Sequence, residues 1–110
     1  MRFAIVGSRE ILIKNIGDYL FDCDEIISGG AKGVDTCAAI YAKENSIRLT
    51  FVLPKYERYG RAAPIIRNKE IVERCDVVIA FWDGCSRGTL SVIKYAAKRN
   101  KPYKLIFVNR

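Results

Sequence analysis

The chain has 110 residues, half of them apolar and 28% charged, which fits one domain over residues 1–110 and leaves no room for a second core. Its formal net charge of +7 is unevenly spread: residues 54–110 hold 13 basic and 5 acidic side chains, residues 1–53 hold 6 and 7. Histidine is absent, which excludes Ser-His and Cys-His nucleophile pairs and histidine metal clusters, and the four scattered cysteines form no C-x-x-C pair for a zinc or dithiol site.

Phe3-Ala4-Ile5-Val6 is a short apolar run closed by Gly7, and it reads as the first strand. A helix is expected over about Ile11 to Phe21. Glu25–Ile27 is the second strand, and the small-residue turn behind it leads into a helix with Val34, Cys37, Ala38, Tyr41 and Ala42 on one face. Leu49–Leu53 is the third strand, and Pro54 to about Gly60 is the longest connection. The next helix, about Ala62 to Cys75, turns Ile65, Ile66, Val72 and Cys75 inward. Val77–Trp82 is the fourth strand, the helix after it presents Leu90, Ile93 and Ala97, and Leu105–Val108 is the fifth strand. All five runs are apolar without alternation, so each is expected to be buried on both faces.

Strand and helix alternate throughout, the pattern of an α/β Rossmann-like domain: three layers, a five-stranded parallel sheet of order 3-2-1-4-5, and helices on both faces. No apolar run approaches the ~18 to 20 residues of a membrane span, and no cleavable leader is legible. The expectation is a cytoplasmic protein with reduced thiols, no membrane partner and no metal.

In that strand order the switch point lies between the first and fourth strands, and a ligand is expected beyond their carboxyl ends. The two loops there are Gly7-Ser8-Arg9 and Asp83-Gly84-Cys85-Ser86-Arg87-Gly88-Thr89. Glycines admit backbone amides to an anion, hydroxyls add donors, and each following helix directs its positive end to the same point. The turn Ser28-Gly29-Gly30-Ala31-Lys32-Gly33-Val34-Asp35 lies beside them; Asp35 serves either the helix dipole or a ribose hydroxyl. In Pro54–Arg61, Tyr56 and Arg61 belong to an aromatic and basic stretch suited to stacking a base or to holding phosphates, and Arg67-Asn68 adds polar groups from the next helix. The same turns also serve simply as tight strand-to-helix connections.

Taken together, Gly7-Ser8-Arg9, Ser28-Gly29-Gly30-Ala31-x-Gly33-Val34-Asp35, Arg67-Asn68 and Phe81-Trp82-Asp83-Gly84-x-Ser86-x-Gly88-Thr89 resemble the YspA-type branch of the SLOG superfamily. The resemblance implies a Rossmann-like fold that binds a nucleotide or nucleotide-derived ligand in these loops. Gly88-Thr89 is similar to the turn in the LOG motif P-G-G-x-G-T-x-x-E, whose glutamate serves N-glycosidic cleavage, and Arg67 looks like the arginine that accompanies it. Val92 stands at the glutamate position, so that hydrolysis is disfavoured, no catalytic residue is assigned and no cofactor beyond the ligand is implied. The DprA branch implies an alternative partner, single-stranded DNA. A homo-oligomer, such as a dimer, is a further expected partner state.

Overall fold

The computed structural model describes residues 1–109. Its strands are β1 (Arg2–Gly7), β2 (Glu25–Ser28), β3 (Arg48–Phe51), β4 (Val77–Trp82) and β5 (Tyr103–Phe107). The helices are α1 (Val34–Glu44), the single turn α2 (Tyr56–Tyr59), α3 (Ala63–Arg74) and α4 (Arg87–Lys98). All strand pairs are parallel, in the order β3-β2-β1-β4-β5. The architecture is therefore the expected Rossmann-like α/β sheet, with its order reversing between β1 and β4.

The pleat divides the core into two layers. Ala4, Val6, Val78 and Ala80 face α3 and α4 and pack with Ile71, Val72, Val92, Ile93 and Ala96. Phe3, Ile5, Ile79 and Phe81 face α1 and pack with Val34, Ala38 and Ala42. The inner strands β1 and β4 are buried along almost their whole length. Among the described residues no helix is long and apolar enough to cross a membrane, and all four cysteines are free.

Four expectations are corrected. The helix over Ile11 to Phe21 does not form; only a 3-10 turn at Ile16–Tyr19 is present. Ile11 and Ile16 are nevertheless buried beside α1, so the segment covers the sheet as irregular chain, where Asn15, Gly17 and three β-branched isoleucines weaken a helix. β3 and β5 are not buried on both faces: they are the sheet edges, and Tyr103, Leu105 and Phe107 stay exposed. In α3, Val72 and Cys75 are turned inward as expected, but Ile65 is exposed and Ile66 half-buried, and Asn68 and Ile71 take the inward positions instead. In α4 the buried stripe is Thr89, Val92, Ile93 and Ala96, so Leu90 is only partly covered and Ala97 is exposed.

Candidate functional site: a cleft at the switch point

Strand ends, helix starts and α3 meet in a cleft of about 470 Å³. Gly7, Ser8 and Arg9 line it from the end of β1, and Gly29, Ala31 and Asp35 from the end of β2. Asp83, Ser86, Gly88 and Thr89 close it from β4 and α4, and Arg67 and Asn68 reach in from α3. The sequence thus named twelve residues that share one cavity.

Close packing explains the first turn. A side chain on Gly7 would meet Val34 Cβ at 2.7 Å and the Phe81 carbonyl at 2.8 Å, so only glycine lets β1 end between α1 and β4. The next residue, Ser8, is buried and stitches the two strand ends together. Its amide donates to the Phe81 carbonyl (3.1 Å), and its Oγ accepts from the Asp83 amide (3.3 Å).

The loop before α4 is built around its own polar side chains. Asp83 Oδ1 accepts from the amides of Cys85 (2.8 Å) and Ser86 (3.0 Å). Ser86 caps the helix, its Oγ accepting from the Thr89 amide at 3.3 Å and lying 3.1 Å from the Thr89 hydroxyl. The Leu90 amide donates to the Ser86 carbonyl, so Arg87 and Gly88 contribute the remaining amides of the first turn. No heavy atom outside the immediate chain lies within 4 Å of a Cβ built on Gly88. The cleft is open at that point.

Arg67 joins α3 to the second loop: Nη1 donates to the Gly29 carbonyl (3.0 Å) and Nε to Asn68 Oδ1 (3.0 Å). That bond accounts for the burial of Asn68, which sequence periodicity did not anticipate. Asp35 Oδ2 accepts from the Ala31 amide at 3.0 Å. Burial pushes the Asp35 carboxyl above the ordinary carboxylate range, against the opposing pull of the Ala31 amide and the Arg67 charge.

The cleft has a second, apolar wall that the list of loop residues omitted: Val6, Pro64, Ile71 and Val92. Two of these carried a signal, since Ile71 follows Arg67 and Val92 follows Gly88 by one helical turn, which stacks each pair on one face. Glu10 and the exposed Cys85 also line the cavity.

Seven expected residues are not in the lining. Ser28 is fully buried beneath the second loop, its Oγ accepting from the Gly30 amide at 3.2 Å. Gly30 is exposed, while Gly33 fits against the Arg9 and Ser8 carbonyls with φ of +73°, which joins the first two loops. Gly84 faces the Phe107 ring, and Arg61 and Arg87 point to solvent. Tyr56 belongs with Pro54, Lys55 and Arg58 to a separate shallow depression of about 390 Å³. Among the described residues, Arg67 is also the one basic side chain of residues 54–110 in the cleft lining, so the basic surplus of that half is spread over the outer surface.

The arrangement can take a ligand with an anionic or hydroxyl-rich end against the loops and the α4 amides, and a flat, less polar part against Val6, Ile71 and Val92. Comparisons with protein-family models, with curated proteins and with solved structures return no match to this chain.

Proposed function

We propose that the chain binds a nucleotide or nucleotide-derived small molecule in the switch-point cleft, as a cytoplasmic protein whose thiols stay reduced. The observation that carries this reading is the convergence of three strand-to-helix loops, the open α4 start at Gly88 and the Arg9 and Arg67 guanidiniums on one cavity with an apolar wall. Backbone amides at a helix start favour phosphate, and an apolar wall opposite them suits a base or sugar face. The SLOG-like pattern of these loops agrees with that chemistry. Val92 in the wall contributes contact area and no proton transfer, so binding, in sensing or processing of the ligand, is favoured over glycosidic cleavage.

One observation favours a second reading. Tyr56 is 58% exposed beside Lys55 and Arg58, and the Arg58 guanidinium lies 5.3 Å from the centre of the Tyr59 ring, a combination suited to a stacked single strand of DNA. A thermal-shift screen with nucleoside mono- and diphosphates, ADP-ribose, cyclic dinucleotides and a short oligonucleotide separates the two. Stabilisation by a small nucleotide with shallow salt dependence supports the cleft reading. Binding that grows with oligonucleotide length and falls steeply with salt replaces it with the DNA reading. No stabilisation by any of these compounds overturns both.

A further inference from the structure

β5 is an edge strand, with no strand on its outer side among the described residues. The Val78 amide donates to the Pro102 carbonyl (3.0 Å) and the Val108 amide to the Trp82 carbonyl (2.8 Å). With the alternation of a parallel ladder, those two bonds direct the amides and carbonyls of Tyr103, Leu105 and Phe107 away from β4. The same three side chains lie on one sheet face and are 45%, 40% and 62% exposed. Ile106 and Val108 pack into the core on the opposite face, and Lys104 extends over the Tyr19 ring there, at 5.6 Å. A row of unpaired backbone groups carrying a large apolar side chain at every second position is the kind of edge that soluble chains ordinarily blunt with charge or proline. The opposite edge strand, β3, is shorter, begins at the exposed Arg48 and is followed by Pro54, although its Phe51 is also exposed.

We propose that β5 pairs antiparallel with β5 of a second copy of this chain, about a two-fold axis at Leu105, so that two sheets join into one continuous sheet. The strand sequence itself selects this occupant. An antiparallel partner centred on Leu105 sets Leu105 against Leu105, Tyr103 against Phe107 and Phe107 against Tyr103. Each large side chain then meets another on the same face, including two aromatic pairs. In that register every outward amide and carbonyl of the three residues finds a partner, which a register shifted by one residue does not provide. Lys104 stays on the other face, over Tyr19, and does not intrude. A five-residue strand pair is a small interface, so the dimer is a weak one. The contact adjoins the cleft without entering it: Phe107 lies against Gly84 of the loop before α4.

The test is sedimentation of the full chain over a concentration series from about 1 μM to about 500 μM. The wild type is expected to pass from monomer to dimer across that range. Leu105→Lys sets two ammonium groups against each other at the axis and should raise the dissociation constant at least about a hundredfold. Circular dichroism of that variant is expected to be unchanged, because the position is at an exposed edge. A second arm reads the register. In a Cys85→Ser background, Leu105→Cys should give a covalent dimer on mild oxidation, since facing Cα atoms about 5.5 Å apart are within disulfide reach, while the parent background should not. A chain that stays monomeric throughout, a dimer indifferent to Leu105→Lys, or a measured dimer that Leu105→Cys does not cross-link overturns the proposal.

Discussion

Gly88→Val separates the candidate site from the fold. Nothing stands within 4 Å of the Cβ position, so the new side chain starts into open space at a residue of the first turn of α4 that lines the cleft. Glycine costs about 0.8–1.0 kcal/mol relative to alanine inside a helix and valine costs somewhat less, so the substitution should leave stability unchanged or raise it by a few tenths of a kcal/mol. For a domain of this size about 1 kcal/mol moves Tm by ~4 °C, giving a rise of about 1–2 °C. A nucleotide at 100 times its Kd stabilises the wild type by about 2.7 kcal/mol, a shift of roughly 10 °C, and that shift should vanish in the variant because valine fills the space an anion needs beside the helix amides. Thermal unfolding with and without the ligand, backed by titration calorimetry, reads both effects. A folded Gly88→Val protein that binds with wild-type affinity refutes the reasoning, as does a variant that fails to fold.

The other glycine of interest predicts the reverse. Gly33→Ala puts a methyl group against the Arg9 and Ser8 carbonyls at a φ of +73°, and it should destabilise the chain by about 2–4 kcal/mol in urea titrations; a change under about 0.5 kcal/mol contradicts the packing described. Asp35 has its folded pKa raised, so its contribution to stability is fully present below the unfolded pKa and is lost as pH rises through the folded one. Asp35→Asn keeps an acceptor for the Ala31 amide and removes that loss, so its stability relative to wild type should increase as pH rises from below the ordinary carboxylate range toward neutrality; a flat or falling difference denies that burial dominates at this carboxyl. Incubation with nucleoside 5′-monophosphates should release no free base at rates near the usual enzyme range of about one per second, because Val92 replaces the carboxylate that would aid cleavage. Base release by wild type would show that Glu10, Asp35 or Asp83 acts instead, whereas release by Val92→Glu alone would support the LOG-like geometry.

The inner strands were legible because β1 and β4 are sandwiched between layers, and a strand buried on both faces is written as an uninterrupted apolar run. Leu105–Val108 reads the same way in one dimension, yet half of it meets no layer: whether a run lies inside or at an edge depends on neighbours that periodicity does not record. The segment from Ile11 was expected to be helical but lacked the propensity and caps for a helix, so it covers the sheet beside α1 as irregular chain. In α4 the buried stripe is offset because Thr89 turns inward to meet Ser86, a polar contact that a hydrophobic pattern cannot anticipate. The cleft itself was legible through the switch-point rule, which depends only on strand order and names the loops. Its apolar wall was legible only in part: Ile71 and Val92 follow Arg67 and Gly88 by one helical turn, whereas Val6 reads as an ordinary core residue until the loops beside it are seen to leave a gap.

The most direct measurement of nucleotide binding in this cleft is a residue-resolved amide titration of the labelled protein by NMR with the best ligand of the thermal-shift screen. The account predicts saturable shifts concentrated at Gly7 to Arg9, Gly29 to Ala31 and Cys85 to Thr89, with the side-chain Nε signal of Arg67 moving alongside. Shifts confined to Lys55 to Tyr59 or to the β5 edge, or no saturable shift at any concentration up to about 1000 times a micromolar Kd, would contradict it.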